Sequence, residues 1–241
     1  MYIGLIATKE EIRLHNLKHS LVVIIDVVTS SSLICHLLKQ GVQKIYPVAT
    51  EIEALELSKA FKKAVLIGED NGRDIKNFNY NTSPLQFNDQ ELSGNSVILS
   101  TTNGAKAINM SQDADVLIIG CFNNLSKVAE YLTTSSCKRI YLVNSGSSGR
   151  ISFEDFLCAG MLVNKITKFE PNCQLNDTAR IAESFFDSVK DIDKALLDSN
   201  SSKAFLNTYQ LQPDLEFCYA RNINSFIPIL RCEGYRYLSA L

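Results

Sequence analysis

The sequence predicts an α/β protein: a mostly parallel β-sheet with helices on both faces, followed by a helical C-terminal part. Three observations carry that prediction. Up to about residue 145, short β-branched runs alternate with amphipathic segments. The runs are apolar almost throughout, as strands covered on both faces should be. Beyond residue 150 the pattern turns helical, with no Gly/Ser linker, low-complexity tract or internal repeat.

The elements are taken in order. Strands are expected at Leu21–Ile25, Lys44–Val48, Ala64–Ile67, Ser96–Leu99, Val116–Ile119 and Arg139–Val143. Between them, Ser30–Lys39 sets Leu33, Leu37 and Leu38 on one helical face. Glu51–Lys62 carries Leu55 and Leu57 among charges, and Asn124–Leu132 carries Leu125, Val128 and Leu132. Later helices fall at Phe153–Phe169, Asp177–Val189, Ile192–Leu197, Ser202–Tyr209 and Leu215–Arg221, and Ile227–Leu230 reads as a last strand. Asn71–Glu91, rich in Asn and Asp and holding Pro84, is too long for a simple connection and reads as a functional loop. At 241 residues the chain fits a single domain, 1–241.

Composition narrows the function. Net charge is −2, from 24 basic and 26 acidic residues, and no basic run is present, so neither nucleic acid nor a membrane is an expected partner. The seven cysteines form no CxxC pair and mostly sit in apolar stretches, which points to reduced thiols and a cytoplasmic location. The three histidines, His15, His19 and His36, all lie early, and GxSxG, Walker A, GxGxxG and HExxH patterns are absent.

In an open parallel sheet, ligands bind beyond the carboxyl ends of the strands. Asp26 and Thr29–Ser32 come after the first expected strand; Gly68, Glu69, Asp70, Asn71 and Gly72 come after the third. Ser100–Gly104 come after the fourth, and Asn144–Arg150 after the sixth. Asp26 suits an N-cap for the helix near Ser30, or, with Glu69, a hard cation such as Mg²⁺. Thr101, Thr102, Asn103 and Gly104 form either a turn with an N-cap or an anion cradle. Gly146 and Gly149 let the Ser145–Gly149 backbone aim N–H groups inward, and Arg150 either closes that cradle or is a solvated charge. Glu154 and Asp155 open a helix with Ser152 as its N-cap, where acids offset the helix dipole; the Gly/Ser-rich loop before them argues for chemistry as well. Metal-assisted chemistry on an anionic ester fits this set best.

Together these loops resemble the 2-phosphosulfolactate phosphatases (ComB-like proteins). The matching stretches are VVIIDVVTSSS at Val22–Ser32, YPVATEIEAL at Tyr46–Leu55, LIGEDNG at Leu66–Gly72 and FNYNTSPLQF at Phe78–Phe87. LSTTNGAKAI at Leu99–Ile108 and GSSGRISFEDFLCAG at Gly146–Gly160 are the specific ones, and DLEFCYARNINSFIPIL at Asp214–Leu230 is a weaker echo. The resemblance implies a three-layer α/β/α enzyme that hydrolyses 2-phospho-3-sulfolactate with Mg²⁺, as in coenzyme M biosynthesis. It places Asp26, Glu69, Thr102, Asn103, Gly149, Arg150, Glu154 and Asp155 at family-motif positions.

The chain departs from the family pattern at several points. Thr29 stands where DVLRATT has its Arg, and Asp70 and Asn71 stand where GERGG has its Arg and the Gly after it. Asn81 and Thr82 replace Gly and Asn of GNSP, and Ser201–Phe205 replaces a His-Gly-Arg-like stretch. Two guanidiniums are thus missing, each charged hydrogen bond contributing about 1.5–3 kcal/mol; Arg73 compensates in part.

The expectation is a Mg²⁺-dependent hydrolase of a small anionic phosphoester. Asp26, Glu69 and Glu154 or Asp155 would hold the metal, with Asp26 alternatively the nucleophile. Thr101, Thr102, Asn103 and the Ser145–Gly149 backbone would cradle phosphate, and Arg150 would stabilise the charge that develops on transfer. The rivals are a weakened or non-catalytic relative that binds a small anionic metabolite, and a phosphatase of a different ester. The apolar runs of the helical part leave room for a homodimer interface.

Overall fold

The computed structural model describes residues 1–87 and 92–241; the last four residues of the Asn71–Glu91 loop lie outside the described residues. In chain order the strands are β1 (Tyr2–Ile6), β2 (Leu21–Ile25), β3 (Lys44–Val48), β4 (Val65–Asp70), β5 (Arg73–Asp74), β6 (Ser96–Ser100), β7 (Val116–Gly120), β8 (Arg139–Asn144), β9 (Gln174–Leu175), β10 (Pro228–Glu233) and β11 (Tyr235–Ala240). The helices are α1 (Ser32–Lys39), α2 (Glu51–Ala60), α3 (Gly104–Met110), α4 (Leu125–Thr134), α5 (Phe153–Phe169), α6 (Asp177–Ser188), α7 (Ile192–Leu197), α8 (Asn200–Tyr209) and α9 (Gln212–Tyr219).

The sheet runs β5-β4-β6-β3-β11-β10-β7-β2-β8-β1-β9. It holds two parallel groups, β4-β6-β3 and β7-β2-β8-β1, joined by the antiparallel β10–β11 hairpin. The hairpin meets β3 through Leu238↔Ile45 and β7 through Ile229↔Ile118. Three antiparallel steps in a row reverse strand direction between the groups, which in a flat sheet would put their carboxyl ends on opposite edges. Five steps separate β6 from β2, and a twist of roughly 20–25° per step turns the second group far enough for those ends to meet.

Alternate residues of each strand supply opposite faces. Val22 and Ile24 of β2 share a core with Ile45, Val97 and Leu99 of the other group, filled by Leu33 and Leu37 of α1 and Ala107 and Ile108 of α3. On the other face, Leu21, Val23 and Ile25 pack on Val128 and Leu132 of α4 and Leu157 and Leu162 of α5. Tyr46 and Ile98 turn the same way toward Ala54 of α2. Helices therefore cover both faces, the three-layer arrangement that the sequence implied.

The six expected strands and most helices stand within a few residues of their predicted limits. β1, β11, the two-residue β5 and β9, and α3 are additions. Tyr2–Ile6 is interrupted by Gly4, while Tyr235–Ala240 is half exposed and interrupted by Arg236, so neither gives a clean run. Among the described residues, no helix is long and apolar enough to cross a membrane.

The close packing of α5 on α6 depends on Gly160, where an added Cβ would overlap the Ala182 carbonyl oxygen. Alanine normally gains about 1 kcal/mol over glycine within a helix, so propensity alone favours Gly160→Ala. The overlap is with backbone and cannot be relieved by a rotamer change. Gly160→Ala is therefore expected to destabilise by about 1–3 kcal/mol, read as a lower urea midpoint; a higher midpoint would show that the two helices part freely.

Candidate active site

One cleft of about 310 Å³ gathers the loops that the sequence singled out. Asp26, Val28, Thr29 and Ser30 enter it from the turn after β2, Glu69, Asn71 and Gly72 from the end of β4, and Thr101–Asn103 from the loop after β6. Gly146–Ser148 come from the loop after β8, and Ser152 and Glu154 from the start of α5.

Asp26 is held by its backbone. Ser145 N–H donates to Ile25 O at 2.9 Å, Asp26 N–H donates to Ser31 Oγ at 3.0 Å, and Val27 N–H donates to Asp155 Oδ1 at 2.8 Å. Its carboxylate caps no helix, which leaves the side chain to the cleft. Gly104 is required beside it: a Cβ there would stand 2.5 Å from Asp26 Oδ2 and overlap Ser30 Oγ. Burial, then repulsion from Glu69 and Glu154, pushes the Asp26 carboxyl up to about 7, against the opposing pull of Ser145 and Lys9.

The other carboxylates divide by employment. Glu69 accepts from the Thr102 N–H at 2.6 Å, the Thr102 hydroxyl at 3.0 Å and the Gly72 N–H at 2.7 Å, so it ties the β4 turn to the β6 loop. Asp155 is buried behind the cleft, bonded to Val27 N–H and to Ser145 Oγ at 3.1 Å. Burial, with repulsion from Asp26 and Glu154, raises its carboxyl well above the usual range. Glu154 is also buried; Ser152 Oγ donates to its Oε1, while Oε2 has no partner. The buried Ser30 Oγ is unpartnered as well.

Several expectations change on this geometry. Ser152 bonds Glu154 instead of capping α5. Thr102 spends its N–H and hydroxyl on Glu69, and Thr101 Oγ1 accepts from Ala105 N–H at 2.9 Å, so this loop is cradle wall and cap at once. Ser147 and Arg150 pair through their backbones in a tight turn with Ser148 and Gly149 at positive φ, which puts Gly149 at the exposed tip. Ser145 is buried and bonds Asp155. Arg150 and Arg73 are exposed, and neither lines the cleft. Among the described residues, no three His, Cys, Asp or Glu side chains group closely enough to hold a metal.

The structure adds Lys9, which the sequence alone does not single out, and brings to the cleft Thr82 and part of Ser201–Phe205, which the sequence marks only as departures from the family pattern. Lys9, buried, donates to Asn103 Oδ1 at 2.8 Å. It lies just past the carboxyl end of β1, the position that would have marked it had Tyr2–Ile6 been recognisable as a strand. Thr82 faces the cleft because Asp214 of α9 anchors Ser83 Oγ at 2.8 Å and Leu85 N–H at 2.9 Å. Ser201, Ala204, Phe205 and Thr208 of α8 form the far wall, and no Lys or Arg lines the cleft among the described residues.

Comparison with known proteins points the same way. A family model described as 2-phosphosulpholactate phosphatase matches residues 6–233. A protein of Clostridium perfringens named probable 2-phosphosulfolactate phosphatase is 33% identical over 92% of this chain and 91% of its own length. Proteins of the same name from Thermotoga maritima, 35% identical over 86% of the chain and 88% of their length, and from Clostridium acetobutylicum, 30% over 95% and 97%, are similar too.

Burial of Asp26 has a pH consequence. An unfolded aspartate titrates near about 3.9, and here the folded value is about 7. Between the two, the unfolded chain has released a proton that the folded chain keeps, so stability falls as pH rises through that window. The loss is complete above about pH 7 and reaches up to about 4 kcal/mol; Asp155 adds in the same direction. Without added metal, Asp26→Asn is expected to raise Tm at pH 8 and leave it nearly unchanged at pH 4. An equal gain at both pH values would remove the buried charge as its cause.

Proposed function

The chain belongs to the 2-phosphosulpholactate phosphatase family, and from that premise we propose that it hydrolyses a small phosphomonoester in a Mg²⁺-dependent reaction, with 2-phospho-3-sulfolactate as the first substrate to test. The observation that carries this reading is the Glu154 Oε2 atom, buried, unpartnered and on a residue that lines the same cleft as Asp26. A buried carboxylate oxygen without a donor is costly unless a cation or proton satisfies it.

The donors fit a hard cation. Mg²⁺ is commonly held by one or two carboxylates, with waters and substrate phosphate completing the shell, so Asp26 and Glu154 suffice where the described residues hold no group of three ligands. Ser30 Oγ, unpartnered at the same loop, is a further oxygen donor. Bound there, Mg²⁺ would draw negative charge from the phosphoryl oxygens.

The chain's own residues supply the rest. Asn103 and the loop Gly146–Ser148 face the phosphoryl group with N–H donors, because the Gly146 and Ser148 amides make no backbone hydrogen bond among the described residues. Glu69, in the cleft wall, and Asp155, behind it, fix the loops that carry Thr102 and Asp26. In the overall step a water oxygen bonds to phosphorus, the phosphorus–oxygen bond to the alcohol breaks, and the proton lost by water balances the one gained by the alcohol. Asp26 serves as metal ligand or as nucleophile, and both roles need its ionised form.

One observation favours a second substrate class. With no Lys or Arg lining the cleft among the described residues, a sulfonate meets only neutral donors, which suits a phosphomonoester lacking that group equally well. Phosphate release from a panel containing 2-phospho-3-sulfolactate and non-sulfonated phosphoacids decides between them. Activity is expected with Mg²⁺, lost with EDTA, and reduced at least about 100-fold by Asp26→Asn and by Glu154→Gln. Turnover indifferent to EDTA would end the metal assignment, and stabilisation by ligands without any turnover would favour a binding protein.

A further inference from the structure

Lys9 is the only buried lysine or arginine among the described residues, and it stands directly behind the cleft. Its Nζ donates to Asn103 Oδ1 at 2.8 Å, approaches Ser145 O at 3.4 Å and pairs with Glu10 Oε1 at 3.0 Å. Three donors thus meet three acceptors, and none is left for a ligand. Its backbone N–H is fixed as well, donating to Ser145 O at 3.3 Å.

An ammonium donates and never accepts, so the Asn103 amide has one favourable orientation beside it. Its oxygen faces Lys9, and its NH₂ group turns away. Asn103 lines the cleft, and no hydrogen bond engages that NH₂ among the described residues. A side-chain amide without such a neighbour can present either end, and the oxygen end repels an anion.

We infer that Lys9 is a positioning residue, whose bond to Asn103 Oδ1 locks the amide with its two N–H donors toward the phosphoryl group. The charge of Lys9 acts on the ligand through Asn103, not by contact. This rests on the reading of the cleft as a phosphate site, and the test separates the two.

The probe is inorganic phosphate, titrated by calorimetry into the full chain in the presence of Mg²⁺. Wild type is expected to bind. Lys9→Met and Asn103→Ala are each expected to weaken binding by about 10- to 100-fold, the loss typical of a hydrogen bond to a charged group. The double variant should be no weaker than Asn103→Ala alone, since Lys9 acts through that side chain. Lys9→Arg, which also only donates, should bind within about threefold of wild type. Asn103→Asp keeps an acceptor for Lys9 but offers an oxygen to the cleft, so it should lose phosphate while retaining its fold; this variant decides the matter if Lys9→Met fails to fold. Additive losses in the double variant, or phosphate affinity retained by Asn103→Asp, overturn the role of Lys9 alone. Failure of wild type to bind phosphate overturns both that role and the phosphate reading of the cleft.

Discussion

The site depends on one buried carboxylate that never faces the substrate side of the cleft. Asp155 accepts from Val27 N–H with one oxygen and from the Ser145 hydroxyl with the other. Those two bonds lock the first turn of α5 to the end of β2 and the end of β8. Asp26 lies between the pinned residues Ile25 and Val27, so its direction is set by three backbone contacts before its own side chain makes any. Preorganisation of this kind has to be established on folding, because a carboxylate left to find its orientation at the moment of reaction would lose the advantage.

Glu69 repeats the device on the other parallel group. Its three bonds to Thr102 and Gly72 hold the β6 loop against the β4 turn. The cleft is thus assembled from two clamped halves, and the sheet brings them together through the twist across the β10–β11 hairpin. Lys9 spans the remaining gap, with Asn103 of one half and Ser145 of the other as acceptors. Two acids and one base therefore do structural work at a site where the sequence displays a cluster of functional types.

The layered fold was legible because its strands are short apolar runs that end in loops rich in Gly, Asn and Ser. Which loops meet was also legible, since the rule that ligands gather at carboxyl ends holds even across the reversed groups. What each residue does there was not. Glu69 and Glu154 read alike in the sequence, and only the count of donors around each oxygen separates the satisfied carboxylate from the unsatisfied one. Arg150 promised a charge for the cradle, but the turn through Ser148 and Gly149 at positive φ carries it outward. Lys9 was hidden for a different reason: it comes after a strand whose apolar run is broken by Gly4.

The charge balance of the cleft ties these points together. Asp26, Glu69 and Glu154 line it, no Lys or Arg does among the described residues, and Lys9 sits behind with its donors spent. Such a cleft repels a phosphate dianion unless something neutralises the carboxylates. Protons can do so for Asp26 near pH 7, but that removes a single negative charge and leaves Glu154 Oε2 unsatisfied. On the proposed Mg²⁺-dependent reading, a divalent cation would satisfy the orphan oxygen, restore the ionised Asp26 and reverse the sign of the field that the substrate meets. On that reading anion binding and cation binding would be a single coupled event, with neutral donors such as Asn103 orienting what the metal attracts.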